Sequence, residues 1–110
     1  MCPAMINKDY LENLRKRISG LETEMSAPGV AANPQKMQTL MHEYAHQKRI
    51  AAAADVFLKL QDTATESRAM LSDSSTDPEL REMAEAELAD AEAKLPEAEK
   101  AVKIALLPPD

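Results

Sequence analysis

Two glycines, one phenylalanine, no tryptophan and one cysteine are all that 110 residues offer of four structurally decisive residue types. So few aromatic residues leave little to fill a β-sandwich or to line a deep ligand pocket. A single cysteine, Cys2, excludes an internal disulfide and fits a reducing compartment. No run of about 18 apolar residues exists, so no membrane-spanning helix is expected. Met1-Cys2-Pro3-Ala4 lacks the basic-then-apolar pattern of a secretory leader. A cytoplasmic location is the expectation.

What is abundant points one way. Alanine, glutamate, lysine, leucine and arginine make up about half of the chain, the composition of long helices and coiled coils. Much of the apolar content is alanine, so the core must be thin. The formal charge of −6 is uneven: residues 1–50 carry seven Lys/Arg against five Asp/Glu, and residues 51–110 carry six against fourteen. The acidic half disfavours wrapping of nucleic acid. Arg15, Lys16 and Arg17, with Lys48 and Arg49, form the basic clusters able to touch phosphate locally, although such clusters are commonly solvated helix faces.

Leu11, Leu14, Ile18, Leu21 and Met25 recur at steps of three and four, which predicts a helix over about 5–26. Pro28 and Gly29 end it. Asn33-Pro34 is a cap followed by a residue suited to the first helical position, and neither proline nor glycine appears again before Pro78. A second helix over about 34–71 follows, with Met37, Leu40, Met41, Tyr44, Ala51, Ala54, Leu58, Gln61 and Thr65 near one stripe and the two methionines expected in the core. Asp77-Pro78 repeats the start signal for a third helix over about 78–106. Its seam carries Leu80, Ala84, Leu88, Ala91, Leu95, Ala98, Val102 and Ala105, and Pro96 should kink it. Short connections favour antiparallel neighbours. The expected fold is all-α: an antiparallel three-helix bundle with coiled-coil-like packing over 1–107. Residues 108–110 would open a linker. Antiparallel pairing that sets residue 25 opposite about 37, and 14 opposite about 48, would bring the two basic clusters side by side.

His42-Glu43-Tyr44-Ala45-His46 matches His-Glu-x-x-His, in which two histidines one turn apart bind zinc and the glutamate activates water. A zinc hydrolase also needs a third ligand and a peptide cleft. Glu66 lies twenty residues beyond His46 on the same helix, and although a carboxylate such as Asp9 or Glu22 on the first helix could approach, nothing in the sequence demands it. A solvated polar face accounts for these residues more simply. Gly20 and Gly29 stand apart, so no phosphate loop exists, and Cys2 has no partner to make it a nucleophile. No cofactor, metal or catalytic residue is assigned, and the domain is not expected to be an enzyme.

Several segments in order resemble the N-terminal domain of the bacterial peptide chain release factor 1 family. Glu43-Tyr44-Ala45 resembles that family's second helix. Asp77-Pro78-Glu79-Leu80-Arg81-Glu82-Met83-Ala84, then Glu87-Leu88, is similar to its acidic third-helix opening. Leu95-Pro96-Glu97 and Ile104-Ala105-Leu106-Leu107-Pro108-Pro109-Asp110 are similar to its exit segment. The first helix resembles it only in heptad pattern. The resemblance implies a parent protein that ends translation at UAA and UAG. It also implies contacts with the stalk-base region of the large ribosomal subunit and with the GTPase that recycles release factors. The family's Gly-Gly-Gln and Pro-x-Thr motifs do not occur in these residues, so an interaction domain is implied. A candidate ribosome-contact patch is then Arg15, Lys16, Arg17, Lys48 and Arg49. From composition and heptads alone, a self-associating coiled-coil scaffold is the alternative.

Overall fold

A computed structural model describes residues 6–108, which form three helices: α1 (Lys8–Met25), α2 (Pro34–Ser72) and α3 (Pro78–Ala105). α1 begins at Lys8, about three residues later than the start expected near residue 5, while the environment of Cys2 and the linker residues 109 and 110 lie outside the described residues. Asn7 caps α1, its side-chain oxygen accepting from the Tyr10 amide at 2.8 Å. Asn33 does the same for α2, accepting from the Lys36 amide at 3.2 Å ahead of Pro34. These caps satisfy amides that have no partner within the helix. α1 ends at Met25 with Ser26 as its C-cap, and in the turn that follows Gly29 occupies the left-handed region at φ 89°, which no β-carbon tolerates cheaply.

Asp77 departs from the expected start signal. Its side chain makes no capping bond, and the α2–α3 turn is held from other residues. The Arg81 guanidinium donates to the Leu71 and Asp73 carbonyls, each at 2.9 Å, and the Thr76 hydroxyl donates to the Met70 carbonyl at 2.8 Å. The bond to Leu71 satisfies a carbonyl at the end of α2, and the other two add a second donor to carbonyls that already accept from the Asp73 and Thr76 amides. Asp73 accepts from the Ser75 hydroxyl and amide, which, with Arg81 nearby, hold its carboxyl below its ordinary value. Asn33→Ala is therefore expected to destabilise the domain by about 0.5–2 kcal/mol, whereas Asp77→Ala should leave the midpoint of thermal unfolding nearly unchanged. Equal shifts for the two variants would refute this assignment of the caps.

Helix α2 is the spine. Its 39 residues extend to about 58 Å at 1.5 Å per residue, against a longest molecular dimension of 63 Å. α1 and α3 both lie against it and overlap each other only around its middle. There Ile6 and Leu11, then Ala54, Phe57 and Leu58, then Ala98 and Val102 form the main core. Leu14, Ile18 and Ile50 extend it toward the end of α1. Beyond the junction α2 and α3 continue as a two-helix hairpin whose buried positions are Ala64, Ser67, Ala84 and Ala91. The radius of gyration is 19.0 Å, where a compact chain of this length would give about 13 Å. The fold is thus an all-α bundle drawn out along one helix.

The core departs from the expected stripes in detail. Leu21, Tyr44, Leu88 and Leu95 are only half-buried, Gln61 and Thr65 are exposed, and Leu80 and Met41 are 45% and 56% exposed. A strict seven-residue step drifts by about 20° per heptad around a straight α-helix, so a stripe followed from Met37 to Thr65 leaves the core. In α3 Ala84, Ala91 and Ala98 face α2, and Leu88 and Leu95 flank the seam. Met41 lies about 100° round the helix from buried Leu40, on the side that α1 does not cover. α3 runs unbroken through Pro96.

Candidate functional site

The basic residues sit where α1 crosses the middle of α2. Arg15 donates to Asp55 at 3.2 Å, and Lys59 reaches the same carboxylate at 2.9 Å. The Lys59 hydrogen bond and charge, with Arg15 adding to them, hold the Asp55 carboxyl below its ordinary value. Lys8 meets Asp62 at 3.3 Å and the Tyr44 hydroxyl donates to Glu22 at 2.8 Å. α1 therefore meets α2 one to two turns farther along than the expected pairing of 14 with 48. The first turns of α2 overhang the end of α1, and residues 26–33 cross that overhang in hydrogen-bonded turns with Val30 buried.

That register distributes the five cations unevenly. Arg15 and Lys48 come together along a shallow groove with Ile18, Ala51, Ala52 and Asp55. Lys48 also lies 5.5 Å from the centre of the Tyr44 ring, within cation–π range. Lys16 pairs along its own helix with Glu12 at 3.7 Å. Arg17 faces the opposite side of the α1–α2 seam, beside Glu24, Glu43 and Gln47. Arg49, about 100° round α2 from Lys48, looks onto a face that α1 does not touch.

The His-Glu-x-x-His residues do not assemble into a site. His42 is exposed, and Glu43 accepts from the Gln47 amide at 2.9 Å. Among the described residues no group of three or more His, Cys, Asp or Glu side chains is placed to hold a metal. Two buried polar atoms, His46 Nδ1 and Gln47 Oε1, have no hydrogen-bond partner among the described residues. Gln47 is a core-facing position that the apolar stripe passed over, since polar side chains leave no mark in a hydrophobic pattern. Among the described residues no helix is long and apolar enough to cross a membrane.

The arrangement is a rod of helices with a charged waist. Its sequence relationships decide the family. The PCRF domain family model matches residues 14–110. This chain belongs to the PCRF domain family. Curated relatives agree with the match. The peptide chain release factor 1 of Chloroherpeton thalassium is 36% identical over 100 residues, which are 91% of this chain and 28% of that protein. Peptide chain release factor 1 of Treponema denticola is 32% identical over 103 residues, 94% of this chain and 28% of that protein. Peptide chain release factor 1 of Chlorobaculum tepidum is 30% identical over 102 residues, 93% of this chain and 28% of that protein. The chain thus spans just over a quarter of the length of the curated relatives it matches. No solved structure matches it. The family resemblance seen in the helix openings and the exit segment is borne out, and the described residues of this PCRF domain form two helices packed along a third.

Proposed function

We propose that this chain acts in translation termination as the interaction domain of a peptide chain release factor, and that it breaks no bond itself. The observation carrying this reading is the match to the PCRF domain over residues 14–110, in company with relatives named peptide chain release factor 1. The proposed domain is 1–107, with 108–110 opening a linker. In this reading the parent protein works in the cytoplasm and ends translation at UAA and UAG. Its helical domain docks at the stalk-base region of the large ribosomal subunit and meets the GTPase that recycles release factors. An elongated bundle suits such a role, because it offers long faces rather than a pocket.

The proposed ribosome-contact residues are Arg15, Lys16, Arg17, Lys48 and Arg49. Arg15 and Lys48, sharing one groove, lead the set, since two cations close together concentrate attraction to phosphate. Asp55 offsets part of the Arg15 charge, which leaves Lys48 the more available of the two. The purified chain, added to ribosomes halted at a stop codon, is expected to bind and to release no peptide. Arg15→Glu, Lys16→Glu and Lys48→Glu together should weaken binding roughly tenfold at low salt, with the difference fading as salt rises. Helix content should be unchanged, because exposed charges contribute little to stability. Equal binding of parent and variant at every salt concentration would move the contact elsewhere on the domain. Peptide release by the purified chain would overturn the reading as a non-catalytic domain.

A further inference from the structure

α2 has no dominant apolar face, since polar and apolar side chains are spread around its whole circumference. α1 and α3 cover two sides only. On the third, Pro34, Met41, Ala45, Arg49, Ala52 and Val56 follow one another at steps of three, four and seven, forming a single straight stripe. Ala52 on this stripe and buried Ala54 are about 200° apart, so the stripe lies opposite the core face. From Pro34 to Val56 it is about 33 Å long at 1.5 Å per residue. At its upper end Ile104 and Leu107 of the α3 terminus form a second wall. Met41, Val56, Ile104 and Leu107 are 56%, 53%, 59% and 61% exposed, and among the described residues no side chain covers them.

The charge on this face is as distinctive as its shape. The chain carries −6 overall, yet no aspartate or glutamate lines either part of the stripe. Arg49 is its one fully charged group and joins both parts, with His42 and His46 alongside. No ion pair among the described residues includes Arg49. We propose that this face is the docking site for an acidic amphipathic α-helix of a partner protein, whose apolar side covers Met41, Val56 and Ile104 and whose carboxylate meets Arg49.

A helix fits because the stripe is straight and narrow. Ala45 and Ala52 along its floor let a second helix approach at the usual 8–10 Å between axes. An acidic helix fits because covering Arg49 without a carboxylate would strip a charge of water and return nothing. A second copy of this chain packed stripe to stripe would place two Arg49 and four histidines in one interface without a carboxylate. A lipid surface is disfavoured, since anionic membranes are met by faces rich in Lys and Arg, and this chain is acidic. The inference stands apart from the termination reading, because it rests on the uncovered face alone.

Two synthetic peptides of about 22 residues serve as probes, long enough to span the stripe. Both carry leucine and alanine at the seam positions of a heptad, one with flanking glutamates and the other with flanking lysines. Titrated against the whole chain with methionine methyl groups observed by NMR, the glutamate peptide should bind roughly tenfold tighter or more, a difference of about 1.4 kcal/mol. It should shift the Met37 and Met41 signals. Arg49→Ala should abolish the preference between peptides, and Met41→Asp with Val56→Asp should abolish binding while circular dichroism stays unchanged. Failure of both peptides to bind, or equal binding of the two, would overturn the proposal. So would shifts confined to the Met70 and Met83 end. A dimer of the free chain that Met41→Asp dissociates would also overturn it, by giving the face to a second copy.

Discussion

Phe57→Ala is expected to cost about 3–5 kcal/mol, the largest loss of any single truncation in the domain. Phe57 is the only phenylalanine and is 3% exposed at the point where all three helices meet. Its neighbours in this cluster are mostly small or branched: Ala54 on its own helix and Ala98 on α3 cannot grow into the space, and Val102 has no free torsion beyond its first. The void would therefore persist, and its cost adds to the lost transfer energy. Domains of this size are stable by only about 5–15 kcal/mol in total. An elongated chain with an alanine-rich core belongs near the bottom of that range, so the variant should be largely unfolded at 37 °C. The urea midpoint measures the effect, with Val56→Ala as the neighbouring control, because Val56 is 53% exposed and should shift it little. A loss below about 1 kcal/mol for Phe57→Ala would mean that the junction repacks and is not the core of the domain.

The elements of this fold were legible because the chain is clearly punctuated. Asn33-Pro34 and Pro78 mark starts that the structure places where expected, and the predicted ends near 26, 71 and 106 fall within a residue of Met25, Ser72 and Ala105. The family was legible too, from the acidic opening of α3 and the exit segment. What escaped was lateral position. Gln47, Ser67, Ile50 and Phe57 carry the core face of α2, while a heptad followed from Met37 slides off it. Because polar and apolar residues are mixed around all of α2, no single stripe stands out, and the methionines at 37 and 41 were expected inside. Met41 is instead on the uncovered face. The basic clusters escaped for a related reason. Sequence neighbours on a helix point about 100° apart, so Arg15 and Arg17 diverge to opposite sides of α1, as Lys48 and Arg49 diverge on α2. Register completed the difference, since the overhang of α2 depends on how residues 26–33 fold and on where Val30 finds cover.

Pro96→Ala should raise stability by about 1–3 kcal/mol, an uncommon direction for a substitution inside a helix. Pro96 is exposed and lies well within α3, with the helix continuing for nine residues to Ala105. It offers no amide to the Glu92 carbonyl, and its ring crowds that carbonyl. Alanine would restore the hydrogen bond and the better helix propensity at a site where no packing is lost. Part of the gain is returned, because proline also restricts the unfolded chain, by about 0.4–1 kcal/mol. A net gain of about 2 kcal/mol corresponds to roughly 8–16 °C in the midpoint of thermal unfolding for a domain near this size. The sign of the result carries the structural information. Ala91 on one side of Pro96 and Ala98 and Val102 on the other are all buried, so the seam keeps phase across the proline. If the local geometry that proline imposes is incidental, alanine adopts the same path and the midpoint rises. If instead that geometry is what carries Ala98 and Val102 into the junction beside Phe57, straightening α3 pulls them out of the core. The midpoint then falls despite the restored hydrogen bond, and the loss should be largest for α1, since its Leu11 and the Ile6 that precedes it depend on that junction for their burial.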